Sequence, residues 1–503
     1  RTHGPFTLRE VAGRFGMEAR AAEAVLRTLV LDGRVLEGGF RRGGAHREWC
    51  DAESLRLIRN KSLAQLRKEI EPAEPRLLAR FATHWQGVLA RRRGMDALLD
   101  TIEALEGAPL PASLLESQIL PARLARYAPA DLDTLIAAGE VAWCGFDALG
   151  ERDGRISLYL SDRMAELLPP RTGFVEPLSP REEAVLAELA RGGAAFFAQV
   201  HEATGGGYPG ETIDALWSLV WRGLVTNDTL HALRAYLSKP ETKRGKREHV
   251  QGAFRSRRTT PPNAQGRWTL VARADRSTPA AQTAWSHAVA LQLLERHGIV
   301  TRETAAQENL PGGFSAVYEV LKALEASGKV RRGYFVAGLG AAQFALPAAV
   351  ELMRSLRTSA PAKAEMVMLA AADPANPWGS VLRWPEAEEA GASLTRSVGA
   401  SVILRNGELV AYLRRNNPNL QVFLPGDEPD RSAAARDLAG FLAELAQGLL
   451  QNPETRHHGA LLIATIGGVT ARDHFLAGFL REAGFSSSAR GFHVRRLVAQ
   501  RTE

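Results

Sequence analysis

The 503-residue sequence has only two cysteines, Cys50 and Cys144, far apart in the chain. Neither sits in a C-x-x-C or a spaced Cys/His set, so a zinc scaffold and a disulfide framework are both excluded, and no metal ligands are assigned. The reading that remains is two buried, reduced thiols in a cytosolic protein. No apolar run approaches the ~18 residues of a membrane span, so a membrane partner is not expected. Nor is there a phosphate-cradling loop ending in Gly-Lys-Ser/Thr. "SGKVRR" at Ser327 and "RGKREH" at Arg244 have the Gly-Lys but no following hydroxyl. "GLGAAQ" at Gly338 loses the third glycine of a dinucleotide fingerprint to Gln343, and H-E-x-x-H and G-x-S-x-G are absent. The chain opens on "RTHGPF" with no initiator Met and no signal peptide, which is the expectation for a piece of a longer protein.

What is present is one phrase written repeatedly. "LKALEASGKVRRGYF" (321–335) matches "LRTLVLDGRVLEGGF" (26–40) and "LDTLIAAGEVAWCGF" (132–146), and "IDALWSLVWRGLVTND" from Ile213 is a looser copy. In the first of these, Val317, Val320, Leu321 and Leu324 mark one helical face and Gly328 supplies a left-handed cap. Valine follows the capping glycine by two residues and phenylalanine by seven: Gly33/Val35/Phe40, Gly139/Val141/Phe146 and Gly328/Val330/Phe335. The fourth copy keeps Gly223 and Val225 but lacks the phenylalanine. A short helical stretch precedes each copy, starting at Phe6, Leu110, Ala194 and Val300. Helix, helix, turn, helix, glycine and hairpin is the order of a winged helix.

The predicted fold class is therefore α+β, with tandem winged-helix modules at 1–50, 95–170, 178–236 and 283–350. A charged helical linker is predicted at 51–94, broken by Pro72 and Pro75, and a basic loop or linker at 237–282. From residue 363 the texture changes. "ASVILRNGELVAYLRRNNPNLQVFL" alternates like strands, with Asn406–Gly407 reading as a type I′ hairpin turn. A helix near 431–450, a strand at "ALLIATI" and a helix at "TARDHFLAGFLREAGF" follow. A small β-barrel module with covering helices is predicted for 363–503.

Net charge is +7, and it is concentrated. The stretch Lys239–Arg258 holds eight Lys/Arg against two Glu, nearly all of the surplus in 20 residues. Its Lys243, Arg244, Lys246, Arg247, Arg255, Arg257 and Arg258 are candidate phosphate contacts, and DNA is the expected partner. The first wing adds Arg41, Arg42 and Arg47, and the fourth Arg331 and Arg332, whereas the third, Thr226–Asn227–Asp228, is not basic. No catalytic residue can be assigned from spacing. Asp473, beside His474 near the start of the last predicted helix, is the carboxylate to watch, and its plain reading is a helix N-terminus.

In order, "ESLRLIRNKSLAQLRKEIEP", "ARFATHWQGV", "GAPLPASLLESQILPARL", "GYFVAGLGAAQFALP" and "DPANPWGSVLRWP" resemble the C-terminal region of the bacterial large helicase-related proteins (Lhr). The resemblance implies a cytoplasmic bacterial protein whose ATP- and Mg-dependent 3′-to-5′ DNA helicase core lies upstream, so that this chain holds no cofactor itself. It implies winged helices and a barrel similar to the AlkZ-type DNA glycosylases, a role in DNA repair, single-stranded or forked DNA as partner, contact with the helicase core, and homo-oligomers including tetramers. It also implies uracil-DNA glycosylase activity in some members. AlkZ-type enzymes use a Gln-x-Gln or Gln-x-Asp pair, and no glutamine here has Gln or Asp two positions on. The leading expectation is a DNA-binding and oligomerising region of a repair helicase. A DNA glycosylase and a purely structural assembly module are the alternatives.

Overall fold

The computed structural model describes residues 4–41, 47–58, 61, 72–170, 177–238, 260–340, 342–359, 361–389, 391–451 and 461–494. The chain divides into two compact units, Arg1–Pro72 with Arg332–Phe335, and Ala73–Arg331 with Val336–Glu503. Among the described residues no helix is long and apolar enough to cross a membrane.

In the first unit the strand Phe6–Thr7 leads into helices Leu8–Phe15 and Ala19–Leu31, then a hairpin of Val35–Gly38 and Glu48–Asp51. Thr7 and Glu10 form a reciprocal capping box that starts the first helix, and Gly16 in the left-handed region ends it. The last strand lies in the middle of the sheet, pairing Phe6 with Trp49 on one side and Val35 with Asp51 on the other. Leu26, Val35 and Trp49 form the small core.

The second unit repeats this order. Helix Met95–Leu105 precedes strand Leu110–Pro111, a helical run from Ala112 to Arg123 with a π-turn at Leu115–Ile119, helix Pro129–Ala137, and the hairpin Val141–Ala148/Gly154–Leu160. Helix Pro180–Gly192 precedes strand Ala195–Phe196 and helices Phe197–Ala203 and Pro209–Trp221. Helix Pro279–His297 precedes strand Ile299–Val300 and helices Arg302–Gln307 and Ser315–Ala326, and Gln343–Ala345 returns to pair with Ile299–Val300. The shared junction has the predicted conformation. Gly33, Gly139, Gly223 and Gly328 all take positive φ, and Val35, Val141, Val225 and Val330 are all buried. Phe335 is buried too, but Phe40 and Phe146 are only half-buried. Cys50 and Cys144 are free, buried thiols on hairpin strands, and burial pushes Cys144 up to about 12.

Two predictions are corrected. The stretch 237–282 is not simply a linker. It contains the strand Arg267–Leu270, which pairs with Val225–Asn227 and with Ala195–Phe196 and so completes the third module's sheet. Nor do the described residues after 363 close into a barrel. Strands Met366–Ala370, Ala400–Arg405, Glu408–Arg414, Asn419–Val422, Thr465–Ile466 and Val469–Thr470 lie side by side in that order, with the first and last unpaired to each other. The physical reason is that both faces of this sheet are apolar. Ile403, Val410, Leu420 and Val422 pack under Leu438, Leu442 and Ala446 of the helix Asp430–Gln451. Val402, Leu404, Leu409 and Tyr412 pack on the other side with Val88 and Ala122. A small closed barrel must fill its interior with inward side chains alone, whereas here one face is filled by the helix Asp430–Gln451 and the other by Val88 and Ala122, so the two edge strands stay apart. The final predicted helix is shorter than its pattern, Ala477–Glu482, and is followed by the hairpin Phe485–Ser488/Gly491–Val494.

Two polar anchors tie the open sheet to the helices of its own unit. Asn406 and Gly407, both at positive φ, make the predicted tight turn between Arg405 and Glu408. A Cβ on Gly407 would lie 2.3 Å from the Arg76 carbonyl oxygen and from the Arg80 nitrogen, so only glycine lets the turn seat on helix Pro75–Trp85. Beside it, Arg80 donates to both Glu365 oxygens at 2.8 and 3.0 Å. The "DPANPWG" motif is the second anchor: the Asp373 carboxylate accepts from Arg123 at 2.8 and 3.0 Å and from the Ala375 amide at 2.7 Å.

Candidate nucleic-acid interface

The basic stretch Lys239–Arg258 leaves the third module's wing after strand Val225–Asn227 and helix His231–Leu237, and the chain returns through the turn Pro262–Ala264 into strand Arg267–Leu270. Lys243, Arg244, Lys246, Arg247, Arg255, Arg257 and Arg258 lie outside the described residues, which resume on either side of them at Ser238 and Thr260. Helix His231–Leu237 packs on the turn Pro262–Ala264, so the ends are held together. An aromatic cluster does the holding. Trp217 stacks on Tyr236 at 4.3 Å between centroids and meets Trp268 edge-on at 5.7 Å. Its indole donates to the Asn263 carbonyl at 2.9 Å, and that of Trp268 to Ala264 at 3.1 Å.

Polar contacts complete the clamp. Arg234 reaches Glu116 at 2.7 Å and Asp133 at 2.9 Å, which fastens the departing helix to the second module. On the returning side, Asn227 donates to the Gln265 carbonyl at 3.0 Å and Arg267 pairs with Asp228 at 2.6 Å. A Cβ on Gly266, at φ 86°, would collide with Asn227 at 2.3 Å. The wing therefore fixes both ends of the strongly basic segment in one place. Beside the third helix of the same module, Tyr208 is exposed at the helix N-terminus with its ring lying across Gly210.

The other predicted contacts are placed differently. Arg41 pairs with Glu10 at 3.1 Å and Glu48 at 3.2 Å, and Arg47 pairs with Glu37 and Glu23 and lies over the Trp49 ring. Hydrogen bonding to Arg41 holds the Glu10 carboxyl down at about 2. These two guanidiniums are thus charge-compensated within their own module. Arg42 lies outside the described residues, and Arg331 and Arg332 are half-buried in the strand Arg331–Gly333. Asp473 is exposed in a turn four residues before helix Ala477–Glu482. Its neighbour His474 accepts from the Leu476 amide at Nδ1 and pairs with Glu388 at 3.0 Å, a structural arrangement that leaves no ring nitrogen for chemistry.

The second unit also holds a cavity of about 360 Å³, walled by Glu106, Asp147, Arg155, Trp285, Gln292, Arg296 and Asn309, with Pro109, Pro169, Pro170 and Pro311 stiffening its rim. Burial pushes Glu106 up to about 7 even though Arg163 stands 2.8 Å away, and it also raises Asp147. Glu308 behaves oppositely. Burial pushes it up, but Arg296 and His297 outweigh that and hold it at about 2. The sequence reading missed the Trp217–Tyr236–Trp268 clamp and this cavity. The one local trace of the clamp is "GRWTLV" (266–271), whose four-residue strand is too short for its periodicity to mark it.

The description "Large helicase-related protein, winged-helix domain" matches residues 73–161 and 279–365. The Lhr helicase/probable uracil glycosylase of Mycolicibacterium smegmatis is 38% identical over 518 residues, covering 98% of this chain and 33% of that protein. The Lhr helicase/uracil glycosylase of Escherichia coli is 33% identical over 528 residues, with the same two shares covered. This chain therefore spans about a third of the length of the curated relatives it matches.

Proposed function

Because this chain belongs to the large helicase-related family, we propose that it is a DNA-binding and self-associating region of an ATP-dependent 3′-to-5′ DNA helicase that acts in DNA repair. The observation that carries this reading is the aromatic clamp on the third module's wing, which holds together the two points between which the basic sequence runs. Cations on a wing meet phosphates, which supply affinity and register without reading sequence. The exposed Tyr208 ring beside the same module's third helix offers a face on which an unstacked base can lie. Single-stranded or forked DNA suits that pair of features better than a closed duplex.

The test is fluorescence anisotropy on single-stranded and forked DNA across a salt series, with Lys243, Arg244, Lys246 and Arg247 all replaced by Ala. Each phosphate contact contributes about 0.7 to the slope of log K against log salt on single strands, so the slope should fall by about 3. An unchanged slope would remove the wing segment from the interface. Light scattering on the same samples reads self-association separately.

A second reading, uracil excision, is favoured by the words "uracil glycosylase" in the names of both relatives. Its place in this chain would be the 360 Å³ cavity, within the size range of a small-ligand pocket, with Trp285 as stacking surface and protonatable Glu106 and Asp147 on its wall. Strand cleavage after alkali at a single uracil, and not at thymine, tests it.

A further inference from the structure

The first winged-helix module bears an apolar face that its sister modules keep covered. In helix Leu8–Phe15, Leu8, Val11 and Phe15 recur at helical spacing, yet none of its residues is buried. Phe15 is 68% exposed, Met17 39% and Val25 50%. With Val11, Ala22 and Leu29 they line a groove of about 1180 Å³. The equivalent helix of the third module, Phe197–Ala203, buries Phe197 and Val200, and the helix after it buries Ile213, Leu216 and Val220. What covers them is helix Pro180–Gly192, which immediately precedes the module's first strand, packs on both helices, and buries Val185 and Leu189 in the shared core. The fourth module does the same: Val289 and Leu293 of helix Pro279–His297 lie in one core with Val317 and Leu321 of helix Ser315–Ala326.

We propose that the groove of the first module receives one amphipathic helix, supplied by the same polypeptide in the full-length protein. The covering helices of the sister modules, 13 and 19 residues long, give its size. In both of those modules the cover comes from the chain directly before the first strand, and the relatives are about three times as long as this chain. The groove floor is apolar, while Glu10, Arg14, Arg34 and Asp51 stand along it, so the helix it fits has one apolar stripe and a mixed-charge border. A module covered in this way stands in one continuous fold with whatever precedes it.

Thiol labelling reads the groove directly: Cys50 and Cys144 are buried and contribute little background in this chain, and the unsubstituted parent of each polypeptide supplies the background to subtract. Phe15→Cys and the near-isosteric Val25→Cys place a reporter in the groove, and Leu31→Cys, at a position 87% exposed and outside the groove lining, serves as the control. In the full-length polypeptide maleimide should react at positions 15 and 25 at least about tenfold more slowly than in this chain, with position 31 unchanged. Equal rates in the two polypeptides would overturn the proposal. So would equal slowing at position 31, which would indicate a broader interface. Protection that appears in this chain alone and grows with its concentration would assign the groove to a second copy, and would overturn it as well.

Discussion

Replacing Asp373 with Ala should cost the second unit about 3–5 kcal/mol, and the structure accounts for why the figure is that large. Arg123 is 4% exposed, and Asp373 is its only carboxylate partner among the described residues. The other acceptors on Arg123 are the Ile119 carbonyl and the Gln86 side chain, which bind the guanidinium but do not neutralise it. A second cation stands close by: Arg396 donates to the backbone carbonyls of Asp373, Asn376 and Trp378, and burial holds it down at about 10. Removing the one anion leaves a buried charge uncompensated, which is the costly way to break a buried pair. Removing both partners is different. Arg123→Met with Asp373→Leu deletes that charge as well, leaving the Ala375 amide and the Gln86 oxygen without partners, at about 1–3 kcal/mol each, and Arg396 with its backbone carbonyls alone. The double variant should therefore be more stable than Asp373→Ala. Urea unfolding followed by tryptophan emission is a suitable assay, because Trp378 sits in the same turn. If Asp373→Ala unfolds within about 1 kcal/mol of the parent, or if the double variant loses the sum of the singles, the argument from desolvated charge fails.

Gly407→Ala should unseat the β-turn from helix Pro75–Trp85, since its Cβ meets backbone at 2.3 Å, and the loss should exceed the ~1 kcal/mol of an unfavourable φ alone; hydrogen exchange at Met366–Arg414 would show it. Tyr236→Ala should weaken DNA binding without removing any cation by loosening the Trp217 clamp, and protease cutting within 239–259 should quicken; unchanged binding would detach the clamp from function. Acid should destabilise the fold through Glu308, whose folded value near 2 lies below the unfolded 4.5: its contribution of about 3 kcal/mol is present above pH 4.5 and is lost as pH falls toward 2. Glu106 runs the other way. With a folded value near 7 its contribution is complete below pH 4.5 and disappears as pH rises through 7, so Glu106→Gln should flatten the stability profile between pH 5 and 8.

The local junctions were legible because each depends on a few adjacent residues. A glycine at left-handed φ followed at +2 by a buried valine recurs at Gly33, Gly139, Gly223 and Gly328 whatever surrounds it. The Asn406–Gly407 turn was legible for the same reason. The third wing was not. Its second strand, Arg267–Leu270, lies beyond a long polar insertion, and a four-residue strand has little periodicity of its own until Trp268 finds Trp217. The candidate DNA contacts divide along the same line. Charge could be counted at Arg41 and Arg47, but not the fact that Glu10, Glu48 and Glu37 fold back to compensate it.

By itself, then, the sequence determined the repeated module, its glycine-capped junctions, the reduced thiols and the concentration of positive charge in one segment, all of which follow from short-range sterics and composition. Only the tertiary structure decided that this segment belongs to a wing, that the last sheet stays open, and that "DPANPWG" is a buried electrostatic anchor. Those outcomes depend on which surfaces meet. A strand with two apolar faces fits a barrel or a covered sheet equally well until a helix such as Asp430–Gln451 occupies one of them, and an aspartate is an anchor only once Arg123, 250 residues away, is brought to it.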